Sequence, residues 1–394
     1  MGVFWGHKKK NELILVFNIG SSSVDGALFE TQRSGIPKII FSIQTLIKVE
    51  KKIDVDHFLL STIKSLEVVA NKIYQKGLGA PSQIFCVLSS PWYVSQTRII
   101  NFKKNTPFLF TEKLADELVK KEIKLFEEKH MLKYSNSNNT FRVIELKTIK
   151  MTLNGYETSE FLNKKTKELE ITVFISISWE QVLKKIERAI GKYFYFKQIK
   201  FSSFVLSFFT ITRDMYLKQG NFLLVDIGGE VTDISMVKKN NLRESVSFPL
   251  GCNFLTRGVA TGLGCALSEA DSFISLFRDG HAEESIAKKL TLILNKLRTQ
   301  WLNKFQNSLT NLSNDISIPS TIYIVIDKDL VNFFSETIKT EQISQYTLTE
   351  SKFEVIFLNT ELLRGIVAFK ENVFCEPSLI IDSIYINRFL IKTP

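Results

Sequence analysis

Two short segments of the chain place aspartate, glycine and serine at matching positions. The first, "NIGSSSVD", runs from Asn18 to Asp25, and the second, "DIGGEVTD", runs from Asp226 to Asp233. Each lies between two apolar runs, so each is predicted to form the turn of a β-hairpin. Glycine or serine at such a turn lets a phosphate approach the backbone N–H groups closely. Two of these turns facing each other across a cleft would hold a nucleoside triphosphate.

The aspartates at the strand ends add a second kind of chemistry. A carboxylate at Asp226 would orient water around Mg²⁺, an ion that keeps several waters and takes few carboxylates. The alternative is structural, with Asp226 and Asp233 bonding the N–H groups of their own turns. The sequence leaves both interpretations open. It offers no other catalytic pattern, because the four histidines lack metal-type spacing and there is no P-loop or Gly-x-Ser-x-Gly elbow.

Similar elements surround the two hairpins, which align with each other without a gap. After the first, "KIIFSIQTLIKV" predicts a strand, and residues 54–76 predict an amphipathic helix with Asp54 as its N-cap. After the second, "NLRESVSFPLG" predicts a strand, and a helical region begins near Phe254. We infer an internal duplication and predict an α/β fold of two similar lobes with a cleft between them.

The segment between the two halves has a different pattern of predicted elements, with strands, one strongly charged helix and a polar loop. We expect a small inserted α+β domain over 83–175. The other expected boundaries are a flexible tail (1–10), a first lobe (11–82 and 176–218), a second lobe (219–259 and 319–394) and its helical subdomain (260–318). Near the C-terminus, "FEVIFLN" and "SLIIDSIYI" predict two further strands.

Composition indicates a cytoplasmic protein. The 394 residues carry a net charge of +10, but the lysines are scattered, which favours solvated faces over a nucleic-acid site. The four cysteines lie far apart, as expected for reduced thiols. No apolar run reaches the about 20 residues that cross a bilayer. The segment "VFWGHKKK" would either touch a membrane, with Val3, Phe4 and Trp5 inserting, or remain a disordered tail.

These segments resemble the actin-like ATPases and, within them, the FtsA/PilM group. "NIGSSSV" is similar to the first phosphate motif of the family, "LLVDIGGEVTDIS" to the second, and "PLGCNFLTRGVATGLGCALSEADSF" to an FtsA segment with a ribose-facing acid. "MGVFWGHKKK" resembles the start of PilM proteins, and residues 83–175, with "LNGYE", resemble an SHS2-type domain. The resemblance covers most of the chain. It implies a duplicated actin-like (ribonuclease H-like) two-lobed fold with an inserted SHS2-type domain.

The same resemblance implies ATP and Mg²⁺ as cofactors. The cofactor-binding residues that it implies are Gly20, Ser21, Ser22, Asp226, Gly228, Gly229, Thr232, Asp233 and Asp271. Asp226 would also serve the metal, and no catalytic residue is assigned. Asp271 would face the ribose, although "SEAD" is equally an ordinary helix start with Ser268 as N-cap.

Departures from the family pattern predict weak or lost ATP binding. Asn18 stands where the family has an acid, Glu230 replaces a third glycine, Ile274 replaces a lysine, and Asp327 and Lys328 replace two adenine-side glycines. Removing one unit charge about 5 Å from a cation forfeits about 3 kcal/mol at an effective dielectric constant of about 20. Glu230 would add a negative charge beside the phosphates unless its side chain turns away. Efficient ATP hydrolysis is therefore not expected.

Two functions are compatible with these features. The first is an FtsA/PilM-like cytoplasmic scaffold at the inner face of the cell membrane. It would link the divisome or a type IV pilus platform to cytoplasmic protein partners, and it would self-associate through the inserted domain. The short, strand-like C-terminal end favours a PilM-like arrangement over self-anchoring. The alternative is an active ATPase or small-molecule phosphotransferase of the same superfold, with Asp25 or Asp233 as its acid.

Overall fold

A computed structural model describes residues 12–131, 140–158, 161–312, 317–340 and 352–391. The expected N-terminal tail, including its membrane-touching residues, lies outside them. Three β-sheets with helices packed against them make up this part of the chain. No helix among the described residues is long and apolar enough to cross a membrane.

The first sheet has six strands in the order β15-β3-β2-β1-β4-β9. These strands are β1 (Leu13–Ile19), β2 (Ser23–Glu30), β3 (Lys38–Leu46), β4 (Gln83–Leu88), β9 (Ile199–Ser203) and β15 (Ala368–Phe369). Its helices are α1 (Val55–Gln75), α3 (Glu180–Gly191), α4 (Phe204–Met215) and α10 (Pro377–Tyr385). Helix α1 starts as predicted, because the Asp54 side chain accepts a hydrogen bond from the His57 N–H at 2.9 Å. It packs closely on β2 at Gly26, where a Cβ would lie 2.7 Å from the Ile73 side chain.

The second sheet repeats this plan with five strands in the order β12-β11-β10-β13-β14. They are β10 (Phe222–Ile227), β11 (Thr232–Lys238), β12 (Asn241–Phe248), β13 (Thr321–Ile326) and β14 (Glu354–Phe357). The helices of this half are α5 (Asn253–Leu263), α6 (Leu267–Arg278), α7 (Glu284–Leu312), α8 (Val331–Lys339) and the short α9 (Thr360–Leu363). Trp301 of α7 is fully buried and stacks on Phe305 with ring centroids 5.1 Å apart, at the centre of this core.

The third sheet is inserted into the first half of the chain and has the order β5-β8-β6-β7. It contains β5 (Val94–Leu109), β6 (Phe141–Leu153), β7 (Tyr156–Glu157) and β8 (Lys165–Trp179), with α2 (Glu112–Met131) beside it. Glu145 of β6 is held by the Ser203 N–H (3.1 Å), the Ser203 hydroxyl (2.8 Å) and the Tyr385 hydroxyl (2.8 Å). Thr97 of β5 donates to the Leu242 carbonyl of β12 at 3.1 Å. The inserted sheet is therefore fixed to both halves.

One predicted strand is wrong. The segment "SLIIDSIYI" lies in α10, which starts with Pro377 at its first turn and packs on α4, β1 and β2. Nearly all its side chains are buried, so the apolar run has no one-sided pattern that would distinguish a helix from a buried strand. The C-terminal end is consequently helical and buried where a short strand was expected.

Two stretches of the chain lie in a different sheet from the one that the expected domain boundaries imply. β4 was assigned to the inserted domain, but it lies in the first sheet, parallel to both β1 and β9. The last part of the chain was assigned to the second lobe, but β15 pairs with β3 and α10 packs beside β1. A strand's partners depend on the whole topology and not on its own residues. We therefore propose an inserted domain of about 94–179 and a first lobe that also takes in residues from 368 onward.

Candidate functional site

The first turn lies between β1 and β2, where Asn18 and Asp25 are direct partners across the hairpin. The Gly20 N–H donates to the Ser23 carbonyl at 3.1 Å and closes the turn. The second turn lies between β10 and β11, where Asp226 and Asp233 are the matching partners. There the Gly228 N–H donates to the Val231 carbonyl at 3.0 Å. The two hairpins thus have the same construction in the two halves of the molecule.

The two turns touch each other. The Glu230 N–H donates to the Ser21 hydroxyl at 3.1 Å. A Cβ on Gly229 would lie 2.6 Å from the Ser21 carbonyl oxygen and 2.8 Å from the Ser22 Cα, so only glycine permits this approach. At Ser21 and Gly229 the surface that would receive phosphate is therefore occupied by the opposite turn.

Glu230 does not face the space between the lobes. Its carboxylate is buried and forms two hydrogen bonds of 2.7 Å with the Arg257 guanidinium, and it accepts one of 2.8 Å from Asn253. Arg257 also donates to the Glu50 carbonyl of the first half at 2.7 Å. The residue that replaces the third glycine is thus part of a contact between the halves. Arg257 was missed in the sequence because nothing near "LTRGVA" distinguishes it from a surface arginine.

The carboxylates around the turns are unusually short of counter-charges. Burial is the main cause that raises the pKa of Asp25 to about 7. Burial, followed by repulsion from Asp233 and Asp382, raises the pKa of Asp226 well above its ordinary value. Burial also raises the pKa of Asp233, against hydrogen bonds from Ser247 and Ser90. This environment favours protonated carboxyls over a cluster of anions.

A further acid joins this group from α10. Asp382 is fully buried and accepts hydrogen bonds of 2.6 Å from the Asn18 amide and from the Ser207 hydroxyl. Burial raises its pKa to about 7. Asn18 therefore serves as a donor to a neighbouring carboxyl where the family has an acid. The sequence does not reveal Asp382, because "SLIIDSIYI" predicts a buried strand.

Two other predicted residues lie away from the turns' contact. Thr232 is fully buried, donates to the Leu250 carbonyl at 2.7 Å and accepts from the Trp301 indole at 3.2 Å. Asp271 lies exposed on α6 and accepts from the Thr256 hydroxyl at 2.6 Å. The expected Ser268 N-cap is wrong, because α6 has Ala266 as its N-cap. The remaining predicted residues lie at the two turns.

A cavity of about 110 Å³ borders the turns, and a larger one of about 480 Å³ adjoins it. The smaller cavity is well below the about 300 Å³ at which ligand pockets begin. It is lined by Asn18, Gly20, Ser21, Ser22, Asp25, Asp226, Gly228, Asp233, Asp327 and Glu376, among others. No group of three or more His, Cys, Asp or Glu among the described residues is arranged to hold a metal ion. At the volume of the smaller cavity, a triphosphate does not fit between the turns unless they separate.

Comparison with known proteins identifies the fold. A family model described as "Cell division protein FtsA" matches residues 223–383. The solved structure of a "PilM-PilN type IV pilus biogenesis complex" is similar with a TM-score of 0.55 and 12% sequence identity, covering 96% of each chain. The chain has an actin-like ATPase fold, and its residues 223–383 match the FtsA family model. The predicted two-lobed actin-like fold is confirmed.

Two other solved structures are similar with lower TM-scores. The ethanolamine utilization protein EutJ from Carboxydothermus hydrogenoformans has a TM-score of 0.44 and 11% identity, over 96% of this chain and 90% of its own. A protein with an actin-like ATPase fold from Bacteroides thetaiotaomicron has a TM-score of 0.41 and 10% identity, over 91% and 93%. No curated protein matches the chain by sequence.

Proposed function

We propose that this protein is an FtsA/PilM-like cytoplasmic scaffold that links a membrane-associated machine to cytoplasmic proteins, with a weakened or lost ATP site. The family generally binds ATP and Mg²⁺. The observation that carries the proposal is the direct contact between the two phosphate turns at Ser21 and Gly229. The buried Glu230–Arg257 pair supports it, because opening the turns would expose or separate two paired charges.

Titration calorimetry with Mg-ATP on the full chain tests the loss of the site. We expect no saturable binding up to low millimolar nucleotide, since triphosphate would have to separate the turns and enter a space lined by carboxylates. Submicromolar binding with turnover that disappears in Asp226→Ala would contradict the proposal. That result would instead support an active ATPase or phosphotransferase.

The attachment of the inserted sheet supports the scaffold role. Glu145 is anchored by Ser203 and Tyr385, and Arg142 of β6 pairs with Glu180 at 2.6 Å and Glu187 at 2.7 Å. A firmly mounted domain keeps its outer surface in a fixed orientation, as a platform for partners requires. We propose that this sheet is the SHS2-type domain of the group and that self-association, where it occurs, uses it.

We propose that the membrane-associated machine is a type IV pilus platform. A PilM-PilN complex is similar over 96% of the chain with a TM-score of 0.55, whereas the FtsA match is limited to 223–383. The protein would then lie in the cytoplasm at the inner face of the membrane, bound to a protein that occupies the role of PilN. Affinity purification from the native cell tests this. Recovery of pilus proteins is expected, and recovery of division proteins would assign the scaffold to the divisome.

A further inference from the structure

The two cavities between the halves form one cleft with an inner and an outer chamber. Asp25, Gln44, Ile326, Glu376 and Pro377 line both. The outer chamber, at about 480 Å³, has the size of a small-molecule pocket. It lies between β3, the end of β13 and the segment that leads into α10, away from the contact between the two turns. The cleft is thus open to a small ligand even though the phosphate turns are shut.

The charge of this cleft is strongly one-sided. Six carboxyl groups line it, those of Asp25, Asp226, Asp233, Asp327, Glu361 and Glu376. Among the described residues, the only cation that lines either chamber is Lys328, at the outer one. A phosphate ligand would find a single cation here and would be repelled by each carboxyl that is ionised. A positively charged ligand would supply the missing counter-charge.

One oxygen at the junction of the chambers lacks a partner. Asp25 is only 3% exposed, and its Oδ2 accepts from the Ser23 hydroxyl at 3.1 Å. No donor among the described residues lies within hydrogen-bond distance of its buried Oδ1, although the side chains of Ser23 and Gln44 both favour the ionised carboxyl. A buried carboxylate oxygen left unpaired is costly, and a ligand donor placed beside it would relieve that cost.

We propose that the cleft binds a small organic cation, whose ammonium or guanidinium group pairs with Asp25 and Glu376. The walls of the outer chamber include Ile43, Phe357, Phe374 and Leu379, which suit a methylene chain better than a hydrated metal ion. A charged N–H donor satisfies the open Asp25 oxygen and neutralises the carboxyls at the same time. This inference goes beyond the scaffold role and does not depend on which partner protein is bound.

Titration calorimetry of the full chain with agmatine and with spermidine tests the site. The measurement is made at pH 8, above the pKa of about 7 to which burial raises Asp25. We expect saturable binding that weakens at least tenfold in Asp25→Asn and also weakens in Glu376→Gln. Glu284→Gln, which removes a highly exposed carboxylate from α7, serves as the matched control and should bind like the wild type.

Three results would overturn the proposal. One is the absence of saturable binding of either amine. Another is equal affinity in the wild type and Asp25→Asn or, should that variant not fold, in the wild type and Glu376→Gln. The third is tight binding of Mg²⁺ or Ca²⁺ that excludes agmatine. The first two results do not bear on the Mg-ATP titration, and none of the three bears on the partner purification, so the scaffold proposal stays separately testable.

Discussion

At the scale of single residues, Glu230 is the position where structure most changes the meaning of the sequence. A glutamate in a phosphate turn suggests repulsion of nucleotide. In the structure the same carboxylate is neutralised by a bidentate arginine and an asparagine. Its effect on nucleotide is thus indirect, because it helps to hold the second turn against α5 and, through Arg257, against the Glu50 carbonyl.

Arg257→Ala should lower the free energy of unfolding by about 3 to 5 kcal/mol, because it leaves Glu230 buried without its counter-charge. The free energy of unfolding of Arg257→Lys should lie between those of the wild type and Arg257→Ala, since lysine keeps the charge but loses the paired geometry. Urea denaturation measures both. The control is Arg278→Ala, at an exposed pair with Asp279, which should change stability by about 1 kcal/mol or less. Equal effects at the two arginines would contradict the buried pair.

The buried Asp25 carboxyl predicts an unusual dependence of stability on pH. Its pKa is about 7 in the folded protein against an ordinary value of 3.8, so between these values the folded state binds the proton more strongly than the unfolded state. Stability from this group is therefore greatest at low pH and is lost as pH rises toward 7, by up to about 4 kcal/mol. Asp382, with the same raised pKa, acts in the same direction.

Asp25→Asn removes this titration. The variant should be more stable than the wild type at pH 8, by up to about 4 kcal/mol, and this difference should fall to about 1 kcal/mol at pH 4.5. Urea denaturation at the two pH values measures the difference. If the stability of the wild type and of the variant changes equally between pH 4.5 and pH 8, Asp25 ionises normally.

At the scale of elements, the hairpins were predictable and α10 was not. Each hairpin is specified locally, by an apolar strand, a turn with glycine and a second strand, and its alignment with a second copy adds weight. Helix α10 is buried all round, so its local pattern carries no periodicity, and its nature is decided by packing on α4 and β1. The approach of Gly229 to Ser21 likewise involves residues far apart in sequence, which no single-sequence pattern records.

The mounting of α10 on β1 gives a prediction about Asn18. Asn18→Asp restores the acid of the family pattern, yet it would place a second carboxyl at hydrogen-bond distance from Asp382, where an amide now donates. Repulsion of about 3 kcal/mol or more is expected when both ionise, so the variant should lose stability at pH 8 and regain much of it at pH 5.

Thermal unfolding at the two pH values checks this, with Asn303→Asp on the exposed face of α7 as the control. We expect the control to unfold at the same temperature as the wild type at both pH values. The variant should also remain unable to bind Mg-ATP. Recovery of nucleotide binding by this single change would mean that the missing acid, and not the closed turns, is what disables the site.

At the scale of the whole molecule, the two halves are joined on both sides of the cleft. On one side the turns meet, and Arg257 spans from α5 to Glu50. On the other, Ser90 donates to Asp233 at 3.0 Å and the inserted sheet reaches β12 through Thr97. Phe222, Leu224 and Tyr323 of the second sheet belong to the same core cluster as the first. These contacts favour a rigid frame, which suits a platform better than a clamp that opens and closes around nucleotide.

Gly229→Ala tests this closed frame directly. The added Cβ would lie 2.6 Å from the Ser21 carbonyl oxygen, so the turns must separate or strain, at a cost of about 1 to 3 kcal/mol. Hydrogen exchange should accelerate at both turns, and urea denaturation should give the loss of stability. Gly365→Ala is the matched control, because nothing lies within 4 Å of its Cβ, and it should stay within about 0.5 kcal/mol of the wild type. If the two variants behave alike, the turns are apart in solution and the ATP site is open to nucleotide after all.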